Sequence, residues 1–544
     1  MVNWKLSDKQ KRPELFVRRA SGLTREFGLF DTFAFNTLGY ALGLVVMVTP
    51  LFVGGLFPGA NIITTLLIGT IFTVFNGLCY GLLAAAMPRS GGDYVYNGRI
   101  LHPAIGFMSN WGFTWSQFLG VGIYTAYITN YVLSAALLTV GYQTGNSWMI
   151  NFGGLIAKPL YTWGIGTAIL VVITLILLLP TKWVRRILTW GLIIASVGSF
   201  VTLAVFLPYT HDQFVQIFNN FMLSTVNLSD AYNSVITVAQ NQGYAAASPS
   251  LFAAILAIPI GYWVYIGFTY SVYIGGEVKE PQKNQNKAIL LSLLFGFVFF
   301  AATFAAYYNV VGSNFNDAIA YLNLNNPSAN PIPVPPVVSF FAGLLAGNPL
   351  LNAFIGASFF LWTFLLVIVI MTICVRNVFA WSFDRVMPEK LAAVSKSGSP
   401  WVANITIALI GWVLMTLYEF TSFFTYVVNY IVLFSICFWI TGVSALVFPY
   451  VRKDMFESAP EIVKKKVLGL PLVSLAGLIN IVLFSLILYS SFLLPAFSGP
   501  VGPASTGFVV GIYASGVIIY YIARGYRRRF GIDLDLLHKE VPPE

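Results

Sequence analysis

Apolar residues occur along this chain in long blocks separated by short polar and basic connections. Twelve blocks stand out, near residues 28–54, 60–86, 103–140, 162–180, 184–208, 251–276, 287–312, 348–375, 401–417, 421–448, 470–495 and 505–523. Each has roughly the length at which an α-helix crosses a hydrocarbon core. The pattern predicts an all-α integral membrane protein with twelve transmembrane helices.

Two blocks are interrupted. The sixth reads Ile260-Gly261-Tyr262-Trp263-Val264-Tyr265-Ile266-Gly267-Phe268-Thr269 and ends in the polar run Gly275-Gly276-Glu277-Val278-Lys279-Glu280-Pro281. The first reads Phe35-Asn36-Thr37-Leu38-Gly39-Tyr40-Ala41-Leu42-Gly43 before the apolar run resumes. Irregular backbone at membrane depth is tolerated where it lines a cavity or is buried in protein. Glycines four apart, as Gly39 and Gly43 are, also serve simple helix–helix packing. The two breaks stand at corresponding places in successive blocks of five spans. Because five is odd, spans 1–5 and 6–10 begin on opposite sides, which is the arithmetic of an inverted repeat around a solute site. The chain then divides into a tail (1–27), a first repeat (28–208), an outer connection (209–250), a second repeat (251–449), a loop with two further helices (450–523) and a second tail (524–544).

Charge sets the expected orientation. Of the 30 Lys and Arg residues, Lys158 alone falls in a connection on the opposite side from the rest. The positive-inside rule makes the basic side cytoplasmic, with both termini there and the protein in the cell membrane. Hydrophobic residues make up 57% of the chain and charged ones 9%, with a mean hydropathy of +0.77. That leaves too little polar surface for a water-soluble particle. The net charge of +10 is spread along one membrane face and suits anionic lipid headgroups rather than nucleic acid.

Little in the sequence points to catalysis. Cys79, Cys374 and Cys437 lie in separate apolar blocks and His102, His211 and His538 are scattered, so neither a disulfide nor a metal set is expected. No nucleophile–base or paired-carboxylate arrangement falls within the spans, and no enzyme or cofactor is expected. Residues 1–27 lack the apolar core of a cleavable signal. Two connections, 209–250 and 313–347, carry no Lys or Arg and are expected to pack over an outer vestibule. The second holds the stiff run Pro331-Ile332-Pro333-Val334-Pro335-Pro336. In the first, Asn227-Leu228-Ser229 fits an N-glycosylation acceptor.

Three polar segments resemble one family. Met87-Pro88-Arg89-Ser90-Gly91-Gly92-Asp93-Tyr94-Val95-Tyr96 is similar to the loop after helix 2 in amino acid–polyamine–organocation permeases. Glu277-Val278-Lys279-Glu280-Pro281-Gln282-Lys283-Asn284 resembles their loop after helix 6, and Arg376 through Pro400, with Asp384 and Pro388, their stretch after helix 8. Trp263-Val264-Tyr265-Ile266-Gly267-Phe268 looks like the break in their helix 6. The resemblance spans roughly residues 25–450. It implies a LeuT-type five-plus-five inverted repeat with discontinuous helices 1 and 6, and a secondary transporter. The sequence departs from the family pattern around Gly39–Gly43, at Phe383 and Arg385 beside Asp384, and at Thr269.

A zwitterionic cargo needs both its charges paired when it leaves water. The amides at the start of the outer half of helix 1 suit a carboxylate, and carbonyls freed at the two breaks suit an ammonium. The expected main-chain contacts are Gly39, Tyr40, Ala41, Leu42 and Gly43, facing Val264, Tyr265, Ile266 and Gly267. Trp263, Tyr265 and Phe268 are expected to form a lid and side-chain pocket. Gln117, Tyr124, Thr125, Tyr426 and Asn429 are further lining candidates. Only Asp31 and Glu419 among the acids fall within spans, both near an end, which favours a neutral amino acid over a dication. A polyamine or other organocation permease, or a non-transporting amino acid sensor, stays open as the alternative. A coupling ion, H⁺ or Na⁺, is open too, with Ser196, Ser199, Thr202 and Ser358 as oxygen donors for Na⁺. Spans 11 and 12 are free to pack a homodimer or to contact lipid.

Overall fold

In a computed structural model the first apolar block forms two helices, α1 (Leu29–Gly39) and α2 (Leu42–Leu56). The structure describes residues 25–395, 398–423, 430–493 and 503–537. Next come α3 (Ile62–Ala86), the short α4 (Asp93–Ile100), α5 (Pro103–Thr144), α6 (Pro159–Leu177) and α7 (Thr181–Phe206). The second half holds α8 (Ile258–Trp263), α9 (Pro281–Val311), α10 (Ser313–Asn325), α11 (Pro349–Phe383) and α12 (Trp401–Phe420). The helices α13 (Tyr430–Val451), α14 (Leu472–Leu493) and α15 (Pro503–Arg528) follow.

Eleven helical segments among the described residues are long and apolar enough to cross a membrane. The predicted sixth block differs because it is in pieces: Leu251–Leu256, then α8, then turns, then 3-10 segments at Tyr270–Tyr273 and Gly275–Glu277. The spans begin where the sequence supplies starts. Proline occupies the first turn of α5, α6, α9 and α11, where its missing N–H costs nothing. Asn61, His102 and Asn348 accept hydrogen bonds from first-turn amides of α3, α5 and α11.

Helix α11 is the central post, buried along most of its length and packed on α1, α2, α5 and α7. By contrast, α6 and α7 present rows of exposed Leu, Ile, Val, Trp and Phe, as a lipid-facing surface does. The two long connections, 209–250 and 313–347, are themselves largely helical, at His211–Val226, Ala231–Asn241, α10 and Val338–Ala346. They join through an aromatic cluster in which Tyr232 stacks on Phe315 at 4.4 Å. Helix α10 lies along α2, where Asn316 donates to the Pro50 carbonyl at 3.0 Å. Gly54 and Gly55 permit this approach, since a Cβ on Gly54 would stand 2.4 Å from Asp317 Oδ1. Asn227 is exposed at the end of the helix His211–Val226.

Candidate functional site

The two breaks meet. Ala41 adopts a left-handed conformation (φ 46°) between α1 and α2, and Gly267 has φ 111° within the broken sixth span. A Cβ on Gly267 would lie 2.2 Å from the carbonyl carbon and oxygen of Gly39, and one on Gly39 2.6 Å from the Gly267 oxygen. Only paired glycines let the two main chains approach so closely. Side chains brace the crossing. Asn36 Oδ1 accepts from the Ser271 amide at 2.8 Å, and Gln285 exchanges two hydrogen bonds with Ser271, at 2.6 and 2.9 Å.

Main-chain groups are released here on both sides. The first-turn amides of α2, Leu42–Leu44, have no acceptor within the helix. From Tyr265 to Ile274 the sixth span runs as i→i+3 turns that use the carbonyls of Tyr262, Trp263, Tyr265, Gly267, Thr269 and Ser271 and leave those of Val264, Ile266 and Phe268 without a main-chain donor among the described residues. Beside the crossing lies a small cavity lined by Gly39, Tyr40, Leu44, Val45, Ser116, Gln117, Gly120, Tyr124, Trp263, Ile266, Tyr270, Leu366 and Ile370. Its polar side chains are Ser116, Gln117 and Tyr124 on α5, Tyr270, and Tyr40 and Trp263 at the two breaks, while Leu44, Val45, Leu366 and Ile370 are apolar. Among the described residues, no acid or base stands in the lining.

Every residue proposed from the sequence as a main-chain or lid contact is buried. Gly39, Tyr40, Trp263 and Ile266 reach the cavity. Trp263 sets its ring edge-on to Phe52 of α2 at 5.6 Å. Ala41, Leu42, Val264 and Gly267 are main-chain elements of the crossing and not of the cavity wall. Gly43 abuts Trp362, whose Cδ1 would be 2.5 Å from a Cβ there. Tyr265 and Phe268 do not line this cavity. Tyr265 bonds Thr70 of α3 at 2.7 Å and packs on Phe300, and Phe268 packs against Gly77. With its partner on α3, Tyr265 is drawn out of the cavity. Of the further candidates, Gln117 and Tyr124 line the cavity, whereas Thr125 bonds Val121 within α5 and lies against α6. Tyr426 and Asn429 lie outside the described residues.

Sequence reasoning missed Leu44, Val45, Ser116, Gly120, Tyr270, Leu366 and Ile370. The α5 residues Ser116, Gln117, Gly120 and Tyr124 form a small-and-polar stripe at helical spacing, a signal that was present. Leu366 and Ile370 are indistinguishable in type from their buried neighbours on α11. A π-helical stretch, Ile128–Leu133, follows just beyond Tyr124, a feature often found at functional sites.

At the basic end the three polar segments converge. Arg89 and Arg99 reach Asp384 at 2.8 and 3.3 Å, and Arg376 grips Glu277 through two bonds, at 2.5 and 3.0 Å. Ser90 pairs with Ile274, and Phe27 with Val278. Asp31 joins α1 to Arg185 and Thr189 of α7. Together these close the basic side beneath the crossing.

A sequence profile described as amino acid permease matches residues 27–523. The chain belongs to that family. Among similar proteins, the permease is 24% identical to the Asc-type amino acid transporter 1 of Mus musculus over 44% of its own length and 39% of the relative's. It is 22% identical to Solute carrier family 7 member 12 of Mus musculus over 76% of this chain and 77% of that one. With the Large neutral amino acids transporter small subunit 2 of Homo sapiens it shares 25% identity over 52% and 47%. The match thus spans about two-fifths of the first relative's length.

The corner between α2, α7 and α11 bears on Na⁺. There Ser358 donates to the Ala195 carbonyl at 2.8 Å, Thr202 to Gly198 at 2.9 Å and Ser199 to Ala195 at 3.2 Å. The Trp362 indole N–H points into the same corner, 2.8 Å from Ser199 Oγ and 3.1 Å from Ala195 O. A donor aimed at these oxygens takes the lone pairs a cation would need. Ala195 O and Ser199 Oγ are engaged in this way.

Proposed function

We propose that this permease is a secondary transporter that moves neutral amino acids across the cell membrane by alternating access. The observation that carries the reading is the meeting of two broken helices beside a cavity whose lining has no charged side chain. The α-carboxylate is held by amides at the start of α2 and the ammonium by carbonyls at the crossing, so charge pairing needs no ionised side chain. The solute's own side chain faces Gln117, Gly120 and Tyr124 on one wall and Leu366 and Ile370 on the other. A dicationic polyamine would face no carboxylate there. The named relatives, transporters of amino acids by their printed titles, point the same way.

Opening alternates between the outer vestibule and the basic end, where the ion-paired network forms the closed gate. Both termini lie on the cytoplasmic side in this reading. Purified protein in liposomes should exchange internal unlabelled alanine, leucine, phenylalanine or glutamine for external labelled amino acid. Putrescine and lysine in excess should compete poorly. Binding without any exchange in either direction would make the protein a sensor instead.

A further inference from the structure

Three acidic side chains are buried among the described residues: Asp93, Glu277 and Asp384. Two of them have guanidinium partners, Glu277 in Arg376 and Asp384 in Arg89 and Arg99. Asp93 has none. Its Oδ1 accepts from Asn110 Nδ2 at 2.7 Å, and its Oδ2 from Tyr273 at 2.5 Å and Tyr80 at 3.4 Å. The titratable groups facing it are Tyr80 of α3, Tyr273 beyond the sixth-span break, Cys437 of α13, Tyr513 of α15 and Tyr96 of α4 itself. Asn110 is its contact on α5, and every one of these groups is neutral near pH 7. A carboxylate buried without a countercharge is costly, and taking up a proton relieves that cost.

The position of Asp93 ties it to the cavity. Tyr273 ends the 3-10 segment that starts with Tyr270, and Tyr270 donates to Gln117 in the cavity wall at 2.8 Å. Along α5, Gln117, Thr114 and Asn110 follow at helical spacing, so one polar seam runs from the cavity to Asp93. Asn377 of α11 donates to Thr114 at 3.0 Å, and its own amide oxygen is buried without a protein partner. Such a seam suits water-borne proton transfer through an otherwise apolar core.

Resting on the transport reading above, we infer that Asp93 is a proton-binding site and that the permease carries one proton with each amino acid. With the cavity open outward, the proton reaches Asp93 along Gln117, Thr114 and Asn110. Protonation turns the Tyr273 bond from a charge-assisted one into a neutral one, in which the acid donates and the tyrosine hydroxyl accepts. That weakens the hold on the inner part of the sixth span. Opening at the basic end then hydrates Asp93 and the proton leaves there. Burial pushes the Asp93 carboxyl up to about 6 in the closed form, so hydration returns it toward the ordinary carboxylate range and releases the proton near neutral pH.

The test uses the full-length protein in liposomes with radiolabelled leucine and alanine. A gradient of one pH unit, acid on the uptake side, should drive about tenfold accumulation for one proton per solute, with alkalinisation of the acidic side. Asp93→Asn should abolish this accumulation while retaining counterflow exchange. Thr114→Val, a near-isosteric change distant from the ion pairs, should slow gradient-driven uptake several-fold and spare counterflow, and it tests the route if Asp93→Asn fails to fold. Wild-type uptake indifferent to the gradient, or undiminished accumulation in Asp93→Asn, overturns the inference. Failure of counterflow in the wild type overturns the transport reading itself.

Discussion

The cavity beside the helix crossing and the network at the basic end are built in opposite ways. At the cavity, main chain meets main chain across Gly39 and Gly267, and the lining is neutral. A few turns away, buried arginines and carboxylates pair at 2.5 to 3.3 Å, and side-chain identity is everything. A site that releases its cargo gains from weak, main-chain-based contacts. In the proposed transport cycle, a gate at the basic end would gain from charge pairs, which are poor at adding stability but demanding in geometry. The two regions should therefore respond differently to substitution.

The largest expected effect is at the crossing. Gly267→Val combines a left-handed φ with a Cβ 2.2 Å from the Gly39 carbonyl. Neither chain can shift without pulling the breaks apart, and the cost is about 3 kcal/mol or more. Counterflow should fall to background, and thermal unfolding in detergent should move well below wild type. Normal exchange by this variant would show that the crossing is not the solute site.

Next comes the network. Asp384→Asn removes the carboxylate that both Arg89 and Arg99 approach, inside a region with essentially no solvent exposure. Breaking a buried pair in this way costs about 3–5 kcal/mol. Stability should fall steeply, while the order of preference among competing amino acids, measured on protein that survives, should stay as in wild type. A changed order of preference would remove the division between gate and cavity.

How far the sequence could be read follows the same division. The network residues Arg89, Glu277, Arg376 and Asp384 stood out because charges are scarce in an apolar chain, and they sit in the three segments that resemble the family. The breaks were legible through Gly39, Gly267 and the polar neighbours of Phe35. Hydropathy placed the other spans because every buried span must be apolar over about 20 residues. What could not be read was direction. Tyr265 and Phe268 adjoin Trp263 in sequence, yet irregular turns send them to α3 while Trp263 faces the cavity. Leu366 and Ile370 give no signal, since an apolar residue on a central helix is buried whichever way it faces. Nor did the sequence show that Ser199 and Ser358 would be engaged by the Trp362 corner, because hydroxyl spacing alone does not reveal a neighbouring indole.

A smaller effect is expected inside the cavity. Gln117 links the α5 wall to Tyr270 through a 2.8 Å bond, and Gln117→Leu keeps the volume but orphans the tyrosine hydroxyl. Loss of one such contact is worth about 1–2 kcal/mol, or about tenfold in apparent affinity. Transport KM should rise by that factor, and the unfolding temperature should fall modestly because the buried Tyr270 hydroxyl loses its acceptor. If stability falls and KM holds, Gln117 belongs with the scaffold and the cavity wall must be redrawn.

The smallest effect separates neighbours in sequence. Tyr265 stands next to cavity-lining Ile266 and two residues from Trp263, yet its hydroxyl is bonded to Thr70 on the far side. Tyr265→Phe removes that bond and leaves the ring against Phe300. The cost should be near 1 kcal/mol in stability, seen as a modest drop in unfolding temperature. KM and competitor preference should stay within about twofold of wild type, because a shift under 0.5 kcal/mol corresponds to roughly that factor. Trp263→Phe, which alters a ring that does face the cavity, should change preference between leucine and phenylalanine. Should Tyr265→Phe change selectivity and Trp263→Phe not, the direction in which the broken span turns its side chains would have to be reversed, and with it the placement of the solute.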